Sequence, residues 1–239
     1  MELTGRTAWI TGGSKGIGLG IAQTLVDAGM NVAVSARHER DVREAEASLR
    51  SRGGGGALGV VCDVRDLEQQ RAAVSATLGA FGRLDALIAN AGVGHFASIE
   101  DLEPDAWQRV LDTNLTGVFY SIKASLEPLV DAQGMIITIG SLAGTNFFAG
   151  GAAYNASKFG LAGFSQAVML DLRQKGVRVS TIMPGSVASH FGGRPPGDGD
   201  AWKIQPEDIG GMVQHLLTTP ARTLPSKIEV RPARPPSTR

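Results

Sequence analysis

The chain has 239 residues, with 23 basic against 23 acidic side chains, 32 glycines and one cysteine. That length suits a single domain with a real hydrophobic core, and zero net charge gives no basis for holding nucleic acid or an anionic membrane. A lone cysteine excludes an internal disulfide and any Cys-rich metal site, and it fits a reducing, cytoplasmic compartment. The opening Met1-Glu-Leu-Thr-Gly-Arg has no basic-then-apolar leader pattern. No uninterrupted apolar run reaches the roughly 18 residues that suggest a membrane span. Glycine stands at about twice its usual share of roughly 7%, which implies either low complexity or many tight turns and close backbone contacts.

Short apolar runs alternate with longer helical stretches. Residues Thr7–Ile10, Asn31–Ser35, Leu58–Cys62, Asp85–Ala89, Met135–Ile139, Val177–Ile182 and Lys227–Val230 read as strands. They are almost continuously apolar, as strands of a parallel sheet covered on both faces should be. Helical signals fill Gly16–Ala28, Glu39–Arg52, Leu67–Phe81, Pro104–Val130, Ala152–Lys175 and Pro206–Leu217. Pro104 and Pro206 suit a first helical turn, and Gly29 and Gly176 suit helix ends. The Pro104–Val130 stretch is long enough to require a bend or altered geometry. Strands interleaved with helices predict an α/β doubly wound sheet in one domain over 1–239. Gly53–Gly56 reads as a solvent-exposed loop, 192–200 as a mobile loop or lid within a short substrate region (186–205), and 231–239 as a tail that is extended and poorly ordered beyond its first residues.

Directly after the first strand comes Thr11-Gly12-Gly13-Ser14-Lys15-Gly16-Ile17-Gly18. A strand-to-helix turn of this kind aims backbone N–H groups and a helix dipole at phosphate. Glycine is needed where the backbone turns tightly, nears a pyrophosphate and packs on the sheet. No G-K-[ST] follows, which excludes a nucleoside-triphosphate P-loop. The alternative is an ordinary glycine-rich turn, disfavoured by the strand–loop–helix setting.

The second strand runs out into Ser35-Ala36-Arg37. A site selective for NAD would place a carboxylate there to hold the ribose 2′-hydroxyl. Alanine and arginine instead suit a 2′-phosphate, which guanidinium binds by charge-assisted hydrogen bonds. Lys15 stands within reach of the same phosphate, and Glu39 reads as a dipole-compensating residue at a helix start. The predicted cofactor is NADP(H).

In the second half, Tyr154-Asn155-Ala156-Ser157-Lys158 opens a predicted helix. The i, i+4 spacing puts Tyr154 and Lys158 on one face. A nearby ammonium should stabilise the phenolate and lower its pKa, making Tyr154 a general acid/base. Ser141, just past the Met135–Ile139 strand, is placed to polarise the same substrate oxygen.

These segments together resemble the short-chain dehydrogenase/reductase family over nearly the whole chain. The matches are TGGSKGIG at 11–18, Asp63-Val64, Ala89-Asn90-Ala91-Gly92, Asn114 in DTNLTG, Ser141, YNASK at 154–158, and Pro184-Gly185-Ser186-Val187-Ala188-Ser189. The resemblance implies a seven-stranded Rossmann sheet of order 3-2-1-4-5-6-7, with the dinucleotide across the carboxyl ends of its strands. It implies that Asp63 and Val64 contact adenine, and that Asn90, with Ala91 and Gly92, lines the cofactor beside the nicotinamide ribose. Pro184, Gly185, Val187 and Ser189 would hold the carboxamide. By the same resemblance Ser141 orients the substrate carbonyl and Tyr154 transfers the proton. Lys158 would bind the ribose, and Asn114 would bend its helix and hold a water of a proton relay.

Some positions depart from the family pattern. Ala89 replaces the first Asn of a common NNAG, and Gly140 replaces a frequent Ser. The ending KIEVRPARPP stands where many members have Val-Asp-Gly-Gly, and is similar to that of a bacterial subset of NADP-dependent 3-hydroxy-acid and ketone reductases. The substrate is thereby left open within the class of small-molecule carbonyls and alcohols. His95 and His190 fall near the expected substrate mouth, where exposed loop histidines are the simpler reading. No histidine spacing suits a metal, and Cys62 reads as a buried small hydrophobe. Family resemblance further implies a homo-oligomer, a dimer or tetramer, built on the Pro104–Val130 and Ala152–Lys175 helices. The rival reading is an NADP-binding redox sensor with little catalysis. Retention of both Tyr154 and Lys158 speaks against it.

Overall fold

The computed structural model describes residues 2–191, 193 and 195–235. Seven parallel strands form one sheet in the order β3-β2-β1-β4-β5-β6-β7. They are β1 (Thr7–Thr11), β2 (Asn31–Ala36), β3 (Ala57–Val61), β4 (Ala86–Ala89), β5 (Met135–Ile139), β6 (Arg178–Pro184) and β7 (Lys227–Val230). The helices between them are α1 (Gly16–Asp27), α2 (Glu39–Arg50), α3 (Leu67–Phe81), α4 (Pro104–Leu111), α5 (Gly117–Asp131), α6 (Ala152–Leu172) and α7 (Pro206–Thr218). The doubly wound fold and its strand order are those expected.

Alternation along the central strands divides the core in two. Ala8, Ile10, Val32, Val34, Ile88 and Ile137 face α1, α2 and α7, where they meet Ile21, Leu25, Leu49 and Val213. Trp9, Ala33, Leu87 and Ile136 face the other way, onto Val74, Val118, Leu129 and Leu161 of α3, α5 and α6. Both faces are covered, so these strands need apolar residues at consecutive positions. Trp9 shows how tightly this is specified. It pairs in register with Ala33 on one side and Leu87 on the other, and its indole N–H donates to Ser35 Oγ at 3.1 Å.

The expected bend falls between α4 and α5. Asp112–Thr116 form a single π turn, a feature frequent at functional sites, and Asn114 lies within it. α3 is capped by Asp66, whose carboxylate accepts from the backbone N–H of Glu68 and Gln69. The helical stretch from Ala152 ends in a 3-10 turn (Arg173–Lys175) and then Gly176, which has φ 77°.

Gly53–Gly56 is a loop exposed at Gly53 and Gly54, as expected, but it is closely seated: a Cβ on Gly54 or Gly55 would strike the carbonyls of Val26 and Met30, so the backbone lies directly on the α1–β2 connection. The first residues of the tail run along the molecule, for Arg231, Pro232 and Pro235 line the main cleft; residues 236–239 lie outside the described part. Of the expected mobile loop 192–200, residues 192 and 194 lie outside it too. The loop's far end is a 3-10 turn at Asp198–Asp200 with Asp200 buried.

Candidate active site

A cleft of about 880 Å³ opens across the carboxyl ends of β1, β4, β5 and β6. Its size is that of a small-molecule or cofactor site, and the position is where doubly wound sheets bind ligands. One wall is the turn between β1 and α1, contributing Gly12, Lys15, Gly16 and Ile17. Gly12 has φ 63°, and a Cβ there would stand 2.8 Å from Ala91 Cα. Gly16 has φ 54°, and its Cβ would point at Ser189 across the cleft at 3.2 Å. Gly18 lies under the turn, where a Cβ would collide with the Gly12 carbonyl. Ser14 is half-buried in the same turn. The backbone is therefore bare where it faces the cleft.

Asn90 holds this wall. Its carboxamide donates to the carbonyls of Thr11 and Gly12, each at 3.0 Å. Thr11 Oγ1 in turn accepts from the backbone N–H of Asn90 and Ala91 at 3.1 Å. No role was read for Thr11 from the sequence. It lies beside the glycines and couples β1 to β4. Asn90, Ala91 and Gly92 all line the cleft.

The opposite wall carries Ser141, Tyr154 and Lys158. Ser141 follows β5, and its Oγ accepts from Ala143 N–H at 3.1 Å, capping a 3-10 turn. It also hydrogen-bonds with the Tyr154 side chain. Lys158 is buried beneath, with Nζ donating to the Ile139 carbonyl at 3.0 Å and lying 5.8 Å from the Tyr154 ring centre. Burial pulls the Lys158 ammonium down to about 8. Burial also pushes the Tyr154 phenol up, partly opposed by its hydrogen bond with Ser141. This corrects the expected depression of the Tyr154 pKa. In a site this enclosed, loss of hydration outweighs a cation whose own charge is disfavoured.

Asn114 reaches the site through the backbone. Its Oδ1 accepts from Val93 N–H at 2.8 Å, and its Nδ2 donates to Val93 O at 2.9 Å and to Ser157 Oγ at 3.0 Å. Ser157 donates to the Tyr154 carbonyl at 2.7 Å, which joins the π turn to the start of α6. Asn155 is a further positioning residue that sequence reasoning passed over. Its amide donates to Ala143 O at 2.7 Å and Asn146 O at 2.8 Å, bracing the loop that carries Ser141.

Pro184, Gly185, Val187 and Ser189 line the cleft beyond β6, together with His190. Val187 bridges Ile204, which fixes this segment against the residues leading into α7. His95 is half-buried on the loop after β4 and does not line the cleft, unlike His190.

Arg37, Asp63 and Val64 lie outside this cleft, at the ends of β2 and β3. Arg37 is exposed. Asp63 is gripped by Arg65, whose Nη2 donates to Oδ2 at 2.6 Å, and this hydrogen bond, with the nearby charge of Arg37, holds the carboxyl below its ordinary range. Val64 is buried, and its carbonyl accepts from the fully buried Gln70 at 2.5 Å. Lys15 turns toward α2 and ion-pairs with Asp41 at 2.9 Å. Cys62 is buried beside this region, and burial pushes its thiol up to about 12. Among the described residues there is no cluster of side chains able to hold a metal ion, and no helix is long and apolar enough to cross a membrane.

A glycine-lined wall facing a Ser-Tyr-Lys set on a doubly wound sheet defines a dinucleotide-type oxidoreductase architecture. Comparison with known proteins agrees: the short chain dehydrogenase family profile matches residues 6–194, and the chain belongs to that family. It is 34% identical over 226 residues to a 3-oxoacyl-[acyl-carrier-protein] reductase of Synechocystis sp., covering 92% of each chain. A metagenomic short-chain oxidoreductase solved in complex with NADP superposes with a TM-score of 0.85 at 35% identity, over 98% of this chain and 100% of the other. An alcohol dehydrogenase of Thermococcus sibiricus, complexed with 5-hydroxy-NADP, gives a TM-score of 0.91 at 27% identity over 98% and 99% of the chains.

Proposed function

We propose that the protein is an NADPH-dependent carbonyl reductase, reversible as an alcohol dehydrogenase, with Tyr154 as general acid/base. The observation that carries this reading is the convergence of Ser141, Tyr154 and Lys158 on the cleft opposite the glycine turn. The cleft suits NADPH on its own geometry. Gly12 and Gly16 line it with bare backbone at positive φ, held close to Ala91 and Ser189. Lys158, one of whose three ammonium donors is used by Ile139 O, has donors left for ribose hydroxyls. Gly12, Ser14, Gly16, Ile17 and Gly18 would hold the phosphates, Arg37 and Lys15 the 2′-phosphate, and Asp63 and Val64 the adenine. Asn90, Ala91, Gly92, Pro184, Gly185, Val187 and Ser189 would enclose the nicotinamide end.

When bound, NADPH supplies hydride from nicotinamide C4 to the substrate carbonyl carbon. Tyr154 donates its phenolic proton to the carbonyl oxygen while the Ser141 hydroxyl hydrogen-bonds the same atom. The raised phenol pKa keeps Tyr154 in its acid form at neutral pH, the form that reduction requires. Asn114 holds Val93, and hence the neighbouring Gly92, in place across from Lys158; a water relay at Asn114 belongs to this proposal. The cofactors in the two solved structures and the absence of a carboxylate at Ala36 support NADP(H), and the name of the Synechocystis relative supports carbonyl reduction.

Tyr154→Phe tests the mechanism. NADPH affinity should stay within about threefold of wild type while kcat falls by about 10²–10⁴. Undiminished turnover would remove Tyr154 from the chemistry. Wild-type binding of NADPH with no turnover on ketones, 3-oxoacyl thioesters or quinones would favour the redox sensor. Self-association is also proposed, through the exposed Phe119 of α5 and Phe159 and Leu170 of α6; a monomeric mass in light scattering would reject it.

A further inference from the structure

Phenylalanines from three separate loops cluster beside Tyr154: Phe96 and Phe191 pack on its ring, and Phe148 joins them through Phe96. Phe96 follows β4, Phe148 follows β5 and Phe191 follows β6, and all three line the cleft. Ring centres lie 5.5 Å apart for Phe96–Tyr154, 5.5 Å for Tyr154–Phe191, 5.8 Å for Phe96–Phe148 and 6.4 Å for Phe96–Phe191. These are separations at which tilted and edge-on rings attract. Mutual contact does not bury them: Phe96, Phe148 and Phe191 remain 51%, 48% and 45% exposed. A contiguous apolar surface of this kind on the wall of a cleft marks a binding site.

The local sequence makes room for the rings. A Cβ on Gly94 would stand 2.7 Å from the Phe191 ring and 3.0 Å from that of Phe96, and one on Gly151 would stand 2.7 Å from the Phe148 ring. The charges at the same mouth come in pairs. Lys203 holds Asp200 at 2.7 Å, and Arg231 holds Glu229 at 2.9 Å. An anionic substrate would have to compete with those carboxylates for its cation, whereas a neutral apolar one meets bare aromatic surface.

We propose that this end of the cleft selects neutral, flat aryl ketones over acyclic 3-oxoacyl thioesters and 3-oxoacids. The aromatic part lies against Phe96, Phe148 and Phe191, and the carbonyl oxygen is presented to Tyr154 and Ser141. The inference rests on the reductase reading above. Its reaction is ketone, NADPH and one proton giving secondary alcohol and NADP⁺.

The test compares NADPH-dependent kcat/KM for 2-acetylnaphthalene with that for an acetoacetyl thioester of N-acetylcysteamine, and measures 2-acetylnaphthalene binding by equilibrium dialysis. The aryl ketone should be preferred by at least about tenfold. Phe148→Leu and Phe191→Leu should each lower that preference about three- to tenfold, the range that aromatic contacts supply. Phe147, 86% exposed and outside the cleft, is the control, and Phe147→Leu should leave the preference unmoved. Equal or better use of the thioester overturns the selectivity and leaves the reductase reading intact, as does a preference indifferent to both cleft variants. Binding of 2-acetylnaphthalene that weakens in both cleft variants, without turnover of any substrate, upholds the aryl site and rejects the reductase reading. Absence of binding and of aryl turnover overturns the inference.

Discussion

Lys15 Nζ lies 2.9 Å from Asp41 Oδ2, joining the glycine turn to the first turn of α2. Lys15 is the only cation in the Thr11–Gly18 segment, and the carboxylate it faces is anionic, held below its ordinary range by that same lysine. On the proposed assignment, a 2′-phosphate recruited by Arg37 would therefore meet a lysine already engaged. The acid missing from Ala36 returns a few residues later at Asp41, where on that assignment it would temper the preference for NADP instead of reversing it.

Asp41→Asn should then strengthen NADPH binding and leave NADH binding as it was. Both partners are partly exposed, 50% and 22%, and such ion pairs contribute about 0–1 kcal/mol. The expected gain is about two- to fivefold in NADPH affinity, read from fluorescence titration of the protein with each dinucleotide. Parallel changes for NADPH and NADH would mean that Lys15 serves the shared pyrophosphate and not the 2′-phosphate.

Burial of Lys158 predicts a pH-dependent stability. A fall from the ordinary 10.5 to about 8 corresponds to roughly 3 kcal/mol between the two protonation states. Between those values the folded chain binds fewer protons than the unfolded one. Stability contributed by this group therefore rises with pH across about 8 to 10.5, and below 8 the penalty of the buried charge is fully present. Lys158→Met should melt above wild type at pH 7, by about 6–12 °C for a chain of this size, while losing turnover. The margin should shrink steadily toward pH 10 in paired thermal scans. A margin constant over that range would show that the lysine is not charged against its surroundings.

The residues legible in advance share one property: their chemistry is written in short local segments. The glycine turn, Ser141, Tyr154 and Lys158 each follow a strand end or open a helix, so reading the strands already aligned them on one edge of the sheet. The limits of β5, buried along its whole length, match the expected bounds because both-face burial demands unbroken apolar runs; those of β7 match too, although it is an edge strand of exposed and half-buried residues. The aromatic lining was not legible. Phe96, Phe148 and Phe191 sit in three loops with no common spacing, and only the fold brings them together. The electrostatics were misjudged for a related reason. Spacing placed an ammonium near a phenol, but enclosure by surrounding elements decides how much of that charge is felt, and enclosure is a tertiary property.

Gly55 yields a stability prediction. Its Cβ would strike the Met30 carbonyl, which belongs to backbone and cannot swing aside. Gly55→Ala must push the β3 approach off the α1–β2 connection, where Gly56 N–H donates to Asn31 Oδ1 at 2.9 Å. Overpacking of this kind costs about 1–3 kcal/mol. Denaturant unfolding should show that loss, while Gly53→Ala serves as a comparison in open space, reporting only the strain of its positive φ. Equal stability of Gly55→Ala and wild type would mean that the chain slides here without resistance.

Asn114 offers the sharpest link between fold and chemistry. It is fully buried in the π turn, yet its carboxamide spends both ends on a single residue, Val93, taking its N–H and giving to its carbonyl. Gly92, next in the chain, stands where an added Cβ would be 3.3 Å from Asn114 Oδ1 and 3.8 Å from Lys158 Nζ. Asn114→Ala removes the clamp and leaves Val93 and Ser157 short of partners. Because Val93 is only half-buried, water relieves part of the penalty, and the expected loss is about 1–3 kcal/mol. The larger effect should fall on rate. A shift of Gly92 by a fraction of an ångström widens the cleft beside Lys158, and displacements of about 1 Å cost about 10²-fold, so kcat should drop at least about tenfold. Thermal melting and steady-state kinetics on the same preparation separate the two effects. A variant that loses stability but keeps kcat would reduce Asn114 to a structural strut.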